Sequence, residues 1–335
     1  MNYIGSKLKL SAFLYQTIDD IVGDHLREKI FCDGFAGTGI VGRKFKPYAK
    51  QIISNDIEYY SYVLNRNYIG NSTFKPDWNL LIDRLNQEPL ISNGFIYNNY
   101  CLGSGSQRQY FSDFNGQKID TIRLKIEKWH YTKYIDDDTY YFLLCSLLES
   151  ADKVANTASV YGAFLKHLKK SAQADLLLLP ASFETSDTKN IVYNEDINTL
   201  IKKISGDILY LDPPYNARQY GANYHILNTI SEYKPFVPKG KTGMREYETS
   251  KFCSKRTVYD EFDDLIRNAD FEYIFVSYNN EGLMSLEEIE EIMSKYGNYQ
   301  CVSTKYSRFQ ADKTTNRNIK ADSTIEYLHI LKKNT

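Results

Sequence analysis

Asp212-Pro213-Pro214-Tyr215, directly after the apolar run Ile208-Leu209-Tyr210-Leu211, puts an acceptor, two prolines and an aromatic in four consecutive positions. An apolar run ending this way predicts a buried strand with a rigid slot at its carboxyl edge, where ligands of open α/β folds bind. The slot suits a flat ring carrying an amino group. Such an exocyclic amine is a poor nucleophile, because its lone pair is delocalised into the ring. The Asp212 carboxylate and the Pro213 carbonyl can each accept one of its N–H bonds, which favours a tetrahedral nitrogen. The carboxylate also opposes the positive charge that builds as the nitrogen attacks. Proline has no N–H and a fixed φ, so Pro213 and Pro214 hold that carbonyl outward, and Tyr215 offers a stacking face. An ordinary strand and proline turn is the competing reading, since a four-residue motif is short.

Two further segments favour the chemical reading. Lys29 to Cys32 reads as a short strand running into Asp33-Gly34-Phe35-Ala36-Gly37-Thr38-Gly39. Its glycines allow a tight turn and close approach of backbone to a ligand, as in a nucleotide-type first βα turn. The loop is neither GxGxxG nor GxxxxGK[ST] and carries no Lys or Arg, which points to an adenosyl group without phosphates. A second strand, Gln51 to Ser54, leads to Asp56, about 20 residues beyond the glycines, where a carboxylate commonly takes ribose hydroxyls. At the N-terminus, Tyr3-Ile4-Gly5-Ser6-Lys7 precedes a helical pattern through Leu10, Phe13, Leu14, Ile18 and Ile21.

In these motifs and their order the chain resembles the Dam-like, alpha-class DNA adenine methyltransferases, which use S-adenosylmethionine. The resemblance runs from Met1 to about Tyr68 and from about Ile191 to the C-terminus. It implies a cofactor site of Tyr3, Gly5 and Lys7 on the methionine side, Asp33, Phe35, Ala36, Gly37, Thr38 and Gly39 in the loop, and Asp56 at the ribose. Asp196 would stand near the adenine, and Asp212, Pro213, Pro214 and Tyr215 would hold the target base beside the cofactor. No metal is expected.

Composition bounds the remaining choices. A chain of 335 residues with 42% hydrophobic content can hold one large domain or one with an insertion. The net charge of −1 leaves nucleic-acid binding to local patches. Between positions 239 and 256, Lys239, Lys241, Arg245, Lys251, Lys255 and Arg256 oppose Glu246 and Glu248, a net of +4. Between 305 and 320, Lys305, Arg308, Lys313, Arg317 and Lys320 oppose Asp312, again +4. Such runs are often plain solvated surface, but both follow the tetrapeptide, where phosphate-gripping loops are expected. Five cysteines without a CxxC pair argue against disulfides and zinc. Without an apolar signal core or a run of about 18 apolar residues, the expected location is the bacterial cytoplasm, in use at the nucleoid.

The elements that must position these groups read as an α/β, Rossmann-like seven-stranded methyltransferase sheet with an inserted, mainly helical target-recognition region. The remaining strands are predicted over Asn190 to Asn194, Asp207 to Leu211, Tyr273 to Tyr278, Tyr299 to Tyr306 and Thr324 to Leu331, the last two expected to form a hairpin. A helix from Leu286 to Tyr296 is opened by a Ser285/Glu288 capping box. Residues 1–74 and 180–335 form the catalytic domain in this reading, and 75–179 the recognition insertion. Within it a flexible stretch, Gly103 to Phe111, presents Gln107, Arg108 and Gln109, residue types that read adenine and guanine edges. Asn115-Gly116 reads as a turn, followed by helices from Lys118 to His130 and Thr139 to Leu148. Beyond the slot, Arg218 and Tyr220 could contact a phosphate or flank a displaced base. His225 reads as a structural residue.

The expected function is therefore transfer of a methyl group from S-adenosylmethionine to adenine in a specific site of double-stranded DNA. Arg218, Tyr220, Lys241, Arg245, Lys255, Arg256, Arg308, Lys313 and Arg317 join Gln107 to Gln109 as candidate DNA contacts. The setting would be a restriction-modification system, with a cognate endonuclease encoded nearby and no stable contact to it, and no membrane partner. Open alternatives are an exocyclic cytosine amine, a glutamine-amide acceptor, or a DNA-binding module keeping a silent cofactor pocket.

Overall fold

The computed structural model describes residues 7–23, 25–307 and 323–334. Among them the chain divides into two compact units, a sheet unit of residues 7–57, 186–219 and 249–334, and a helical unit of residues 58–185 and 220–248. This differs from the boundaries read in the sequence: the helical unit begins at Glu58 rather than at 75, and it takes in a later segment, Tyr220–Glu248.

The sheet unit holds seven strands among the described residues: β1 Ile30–Asp33, β2 Gln51–Asn55, β3 Ile191–Tyr193, β4 Ser205–Leu211, β5 Asp270–Asn279, β6 Gly297–Ser307 and β7 Ser323–Lys333. Their order is β3-β2-β1-β4-β5-β7-β6. The first five are parallel, whereas β7 runs antiparallel to both β5 and β6. Each expected strand is present, with bounds shifted by at most a few residues. In β4, Ile208 to Leu211 are fully buried, which is why that run is continuously apolar: a central parallel strand is covered on both faces. One layer of core joins Leu209 and Leu211 to Ile274 and Val276 of β5 and to helices Val258–Asn268 and Leu286–Ser294. The second of these helices is opened by the expected capping box of Ser285 and Glu288.

The helical unit contains Tyr59–Asn65, Trp78–Gln87, Phe95–Tyr100, Asp113–Tyr131, Asp137–Val154 and His225–Glu232. Trp78 stacks on Phe142 at 4.0 Å between ring centroids, and its indole N–H donates to Thr139 Oγ1 at 2.9 Å. The late segment joins this unit through Arg123, whose buried guanidinium donates to the carbonyls of Ile230 and Ser231, 2.9 Å each.

Two sequence readings are overturned here. Asn115-Gly116 is not a turn but lies in the first turns of helix Asp113–Tyr131, capped by Ser112. Packing explains both residues. The Asn115 amide donates to Ala174 O and accepts from Leu176 N–H, at 2.9 and 2.7 Å, while a Cβ on Gly116 would stand 2.0 Å from Cys101 Sγ. The stretch Gly103 to Phe111 is strapped down rather than open: Gly103 N–H donates to Asp113 and Tyr110 N–H to Tyr100 O, at 2.7 and 2.9 Å.

Candidate active site

Because β4 lies between β1 and β5, the residues that follow Leu211 emerge at the carboxyl edge of the parallel strands. Asp212 there keeps 19% of its side chain exposed, and its Oδ1 lies 3.2 Å from Lys7 Nζ. The Tyr215 hydroxyl donates to the same Oδ1 at 2.5 Å. A second carboxylate completes the group. Glu326 of β7, 4% exposed, places Oε1 2.5 Å from Lys7 Nζ and 2.9 Å from the Tyr215 hydroxyl. Lys7 also donates to the Tyr215 oxygen. The Tyr215 ring packs edge-on against Tyr278 at 5.1 Å, and its carbonyl accepts from Leu283 N–H at 2.9 Å. The tetrapeptide is thus pinned by backbone, ring and hydroxyl.

One ammonium among two carboxylates and a phenol sets unusual proton affinities. Burial pushes the Asp212 carboxyl up to about 6, with Lys7 opposing the rise and Glu326 adding to it. Burial works against the Lys7 charge, yet Asp212 and Glu326 more than offset it and hold the ammonium above the ordinary lysine range. Burial, then Asp212 and Glu326, lift the Tyr215 phenol far above its usual value. It is neutral and a donor at any physiological pH.

The glycine loop forms the neighbouring part of this edge. Gly37 and Gly39 occupy left-handed backbone, φ 53° and 74°. Asp56 Oδ2 accepts from Gly37 N–H at 2.7 Å, and Ala36 N–H donates to Asn55 O at 2.9 Å, so the loop is tied to the end of β2. Phe35 sits edge-on to Phe252, 5.1 Å between centroids. Asp33, ending β1, is 1% exposed. Its Oδ2 accepts from Gly42 N–H at 3.2 Å, whereas the buried Oδ1 has no partner among the described residues. Burial pushes this carboxyl up to about 8, with the Gly42 bond opposing the rise. An orphan buried acceptor invites a cationic donor. With a strand-terminal carboxylate at Asp56, it fits a ligand bearing an ammonium and a ribose diol, as S-adenosylmethionine does. Asp196 is exposed and caps the short helix Ile197–Leu200 through Thr199 N–H at 3.0 Å.

The remaining candidates divide by unit. In the helical unit Arg108 donates to the carbonyls of Asn99, Gly240 and Lys241 at 3.3, 3.0 and 3.3 Å, and Gln109 to Leu165 O at 2.6 Å. Gln107 is exposed on left-handed backbone, φ 60°. Tyr220 stacks on the buried Tyr224. Arg245 pairs with Glu232 at 2.7 Å, and Lys241 is exposed. In the sheet unit Lys255 pairs with Glu288 at 2.9 Å, while Arg218 and Arg256 are exposed. Local carboxylates thus offset much of the charge counted in the first basic run. Tyr3, Gly5, Arg308, Lys313 and Arg317 lie outside the described residues. His225 is fully buried, its Nε2 2.9 Å from Tyr161 O, and burial lowers it to about 4, so the ring is neutral.

Sequence reading missed Glu326. The signal was there: in Ile325-Glu326-Tyr327-Leu328-His329-Ile330 the carboxylate alternates in phase with the buried Leu328 and Ile330. A charge on the core face of a strand needs a partner.

Among known proteins, residues 3–292 match the model of the D12 class N6 adenine-specific DNA methyltransferases. The chain is 65% identical to the type II methyltransferase M.NlaIII of Neisseria lactamica over 333 residues, covering 99% of each. It is 36% identical to the type II methyltransferase M.CviAII of Paramecium bursaria Chlorella virus 1, covering 93% of each. At 39% identity it matches the type II methyltransferase M.FokI of Planomicrobium okeanokoites with 93% of its own length, spanning 50% of that protein.

Proposed function

The chain belongs to the D12 class N6 adenine-specific DNA methyltransferases, and we propose that its Asp212 to Tyr215 segment holds the target adenine for a methyl-transfer reaction. The enzyme depends on S-adenosylmethionine, and its adenine specificity removes the cytosine alternative. The carboxylate of Asp212 at the end of β4 carries the assignment. Among the described residues its donors are side chains, Lys7 and Tyr215, which can be exchanged for the N–H bonds of an incoming amine.

The base must leave the stack, since an exocyclic amine cannot otherwise reach a buried slot. Asp212 and the Pro213 carbonyl then accept its two N–H bonds, pull the nitrogen lone pair out of conjugation and oppose the developing positive charge. Tyr215 borders the base, and the fixed φ of Pro213 and Pro214 preserves the acceptor geometry. Asp33 would take the cofactor's ammonium on its orphan oxygen, Asp56 the ribose, and the positive-φ turn at Gly37 and Gly39 would let backbone approach it, with Lys7 and Phe35 nearby. When bound, S-adenosylmethionine supplies a methyl group made electrophilic by its sulfonium. The methylated nitrogen loses its extra proton to water, so no base such as His225 is required.

The helical unit, on this proposal, reads the DNA sequence. Gln107 is the candidate base reader, with Arg108 and Gln109 shaping its loop through backbone carbonyls. Lys241, Arg218 and Arg256 are candidate phosphate contacts. The likeness to type II methyltransferases supports a role in restriction-modification in the cytoplasm, protecting a site from a cognate endonuclease. Among the described residues no helix is long and apolar enough to cross a membrane.

The test is transfer of a labelled methyl group to unmethylated plasmid DNA by wild type and Asp212→Ala, with nucleoside analysis and mapping. Methylated adenine confined to one short motif and abolished by the substitution is the expected result. Tight cofactor binding by wild type with no transfer to DNA would sink the proposal.

A further inference from the structure

We propose that Glu326 is a positioning residue for methyl transfer: it is the acceptor onto which Lys7 and the Tyr215 hydroxyl withdraw when the target adenine takes Asp212. The inference rests on the role proposed above for Asp212.

Geometry carries it. Lys7 Nζ and the Tyr215 hydroxyl both bond Asp212 Oδ1, at 3.2 and 2.5 Å, and both already lie within 2.9 Å of Glu326 Oε1. Oδ1 already takes two donors, so an N–H that bonds this oxygen must displace them. Lys7, 5% exposed, is shielded from bulk water, and Glu326 already lies in contact with both donors. Withdrawal onto Glu326 gives up the Lys7–Asp212 contact but keeps the ammonium on a carboxylate and moves the Tyr215 hydrogen bond from one carboxylate to the other. Tyr215 stays a donor throughout, so its hydroxyl has one hydrogen to give, and the choice between two carboxylates is exclusive. The shift also places the lysine charge on Glu326, leaving the Asp212 charge to face the amine.

A purely structural role explains the residue poorly. β7 would pack as well with an apolar side chain in phase with Leu328 and Ile330, because a buried ion pair gives little net stability over a hydrophobic isostere. Glu326 reaches the site because β7 is antiparallel to β5, pairing Glu326 with Asn279, the last residue of β5. An early residue of β7 therefore meets the carboxyl edge of the parallel strands. Three separate segments, around Lys7, Asp212 and Glu326, converge on one cation.

Among the described residues, the groups facing Asp212 are Lys7 from the N-terminal segment, Tyr210 and Tyr215 near it in the chain, Glu326 from β7 and Asp33 from β1. Of these, Lys7 and Tyr215 favour its ionised form and Glu326 opposes it. Neutralising Glu326 should therefore lower the pH at which Asp212 ionises.

The experiment measures kcat, KM for DNA and cofactor affinity against pH for wild type, Glu326→Gln and Glu326→Asp, each first checked for a cooperative melt. Glu326→Gln is expected to lose about tenfold to a hundredfold in kcat, with cofactor affinity retained and the acidic limb of kcat moved down by about one pH unit. Glu326→Asp keeps the charge at shorter reach, so kcat should fall while the acidic limb stays in place. Wild-type kcat in either variant overturns the inference, as does a kcat loss in Glu326→Gln with an unmoved acidic limb. Should Glu326→Gln fail to fold, full activity of Glu326→Asp still overturns it. Absence of transfer by wild type would instead overturn the function and this inference with it, whereas an active wild type beside an unperturbed Glu326→Gln overturns the inference alone.

Discussion

Asp120 of the helical unit and Asp212 of the sheet unit carry the same electrostatic signature: burial lifts each carboxyl to about 6. Their partners differ in kind. Asp120 accepts from the backbone N–H groups of Ile96 and Tyr97, 2.8 Å each, and from the Tyr233 hydroxyl. It closes the first turn of helix Phe95–Tyr100, and the absent Cβ of Gly94 makes room for it. Those backbone donors cannot leave without unwinding the helix. Asp212 is held by Lys7 and Tyr215, each of which also touches Glu326. Perturbed proton affinity therefore marks burial in both units, and exchangeable donors mark the site in one.

The comparison breaks if the two carboxylates respond alike to loss of charge. Asp212→Asn is expected to cost about two to three orders of magnitude in kcat while leaving the urea midpoint near wild type. Asp120→Asn should do the reverse. An amide must present N–H groups to a backbone N–H, destabilising the fold by about 2–4 kcal/mol, with kcat per folded molecule preserved. Equal losses of stability in the two variants would erase the distinction.

Asp33 sharpens the contrast, being buried with one oxygen unpaired among the described residues. Its carboxyl is raised in the folded chain, to about 8, above the unfolded value. The stability it contributes is therefore fully present below about pH 4 and is lost as pH rises through about 8, by at most ~1.4 kcal/mol per pH unit. Asp33→Asn should flatten ligand-free stability between pH 5 and 8 in urea titrations, yet bind S-adenosylmethionine weakly. A wild-type slope, or retained cofactor affinity, would mean that Asp33 does not await an ammonium. The smallest effect concerns Gly116. In an exposed helix Gly→Ala gains about 1 kcal/mol, but here the methyl meets Cys101 Sγ, and Gly116→Ala should lose about 1–3 kcal/mol. A stabilised variant would return Asn115-Gly116 to the surface.

What could be read in advance was local. The apolar run before Asp212, the glycines after Asp33 and the capping pair Ser285/Glu288 each declare themselves within a few residues, because strand burial, positive φ and helix caps are set by near neighbours. Asn115-Gly116 misled for the complementary reason: its turn chemistry is real, but Leu176 and Cys101, distant in the chain, claim the two residues for a helix. The cation count between 239 and 256 could not include carboxylates from outside the run, and Glu232, Glu261 and Glu288 pair three of its members.

By itself the sequence determined the seven strands, the order of the motifs and the place of Asp212 at the end of a buried strand, all of which follow from residue type and short-range periodicity. Only the tertiary structure decided that Glu326 shares Lys7 and Tyr215 with Asp212, that Asp33 keeps a buried oxygen unpaired among the described residues, and that Tyr220–Glu248 belongs with the helices. Each of those depends on strand direction or on packing between segments a hundred or more residues apart in the chain, and no local propensity carries that information.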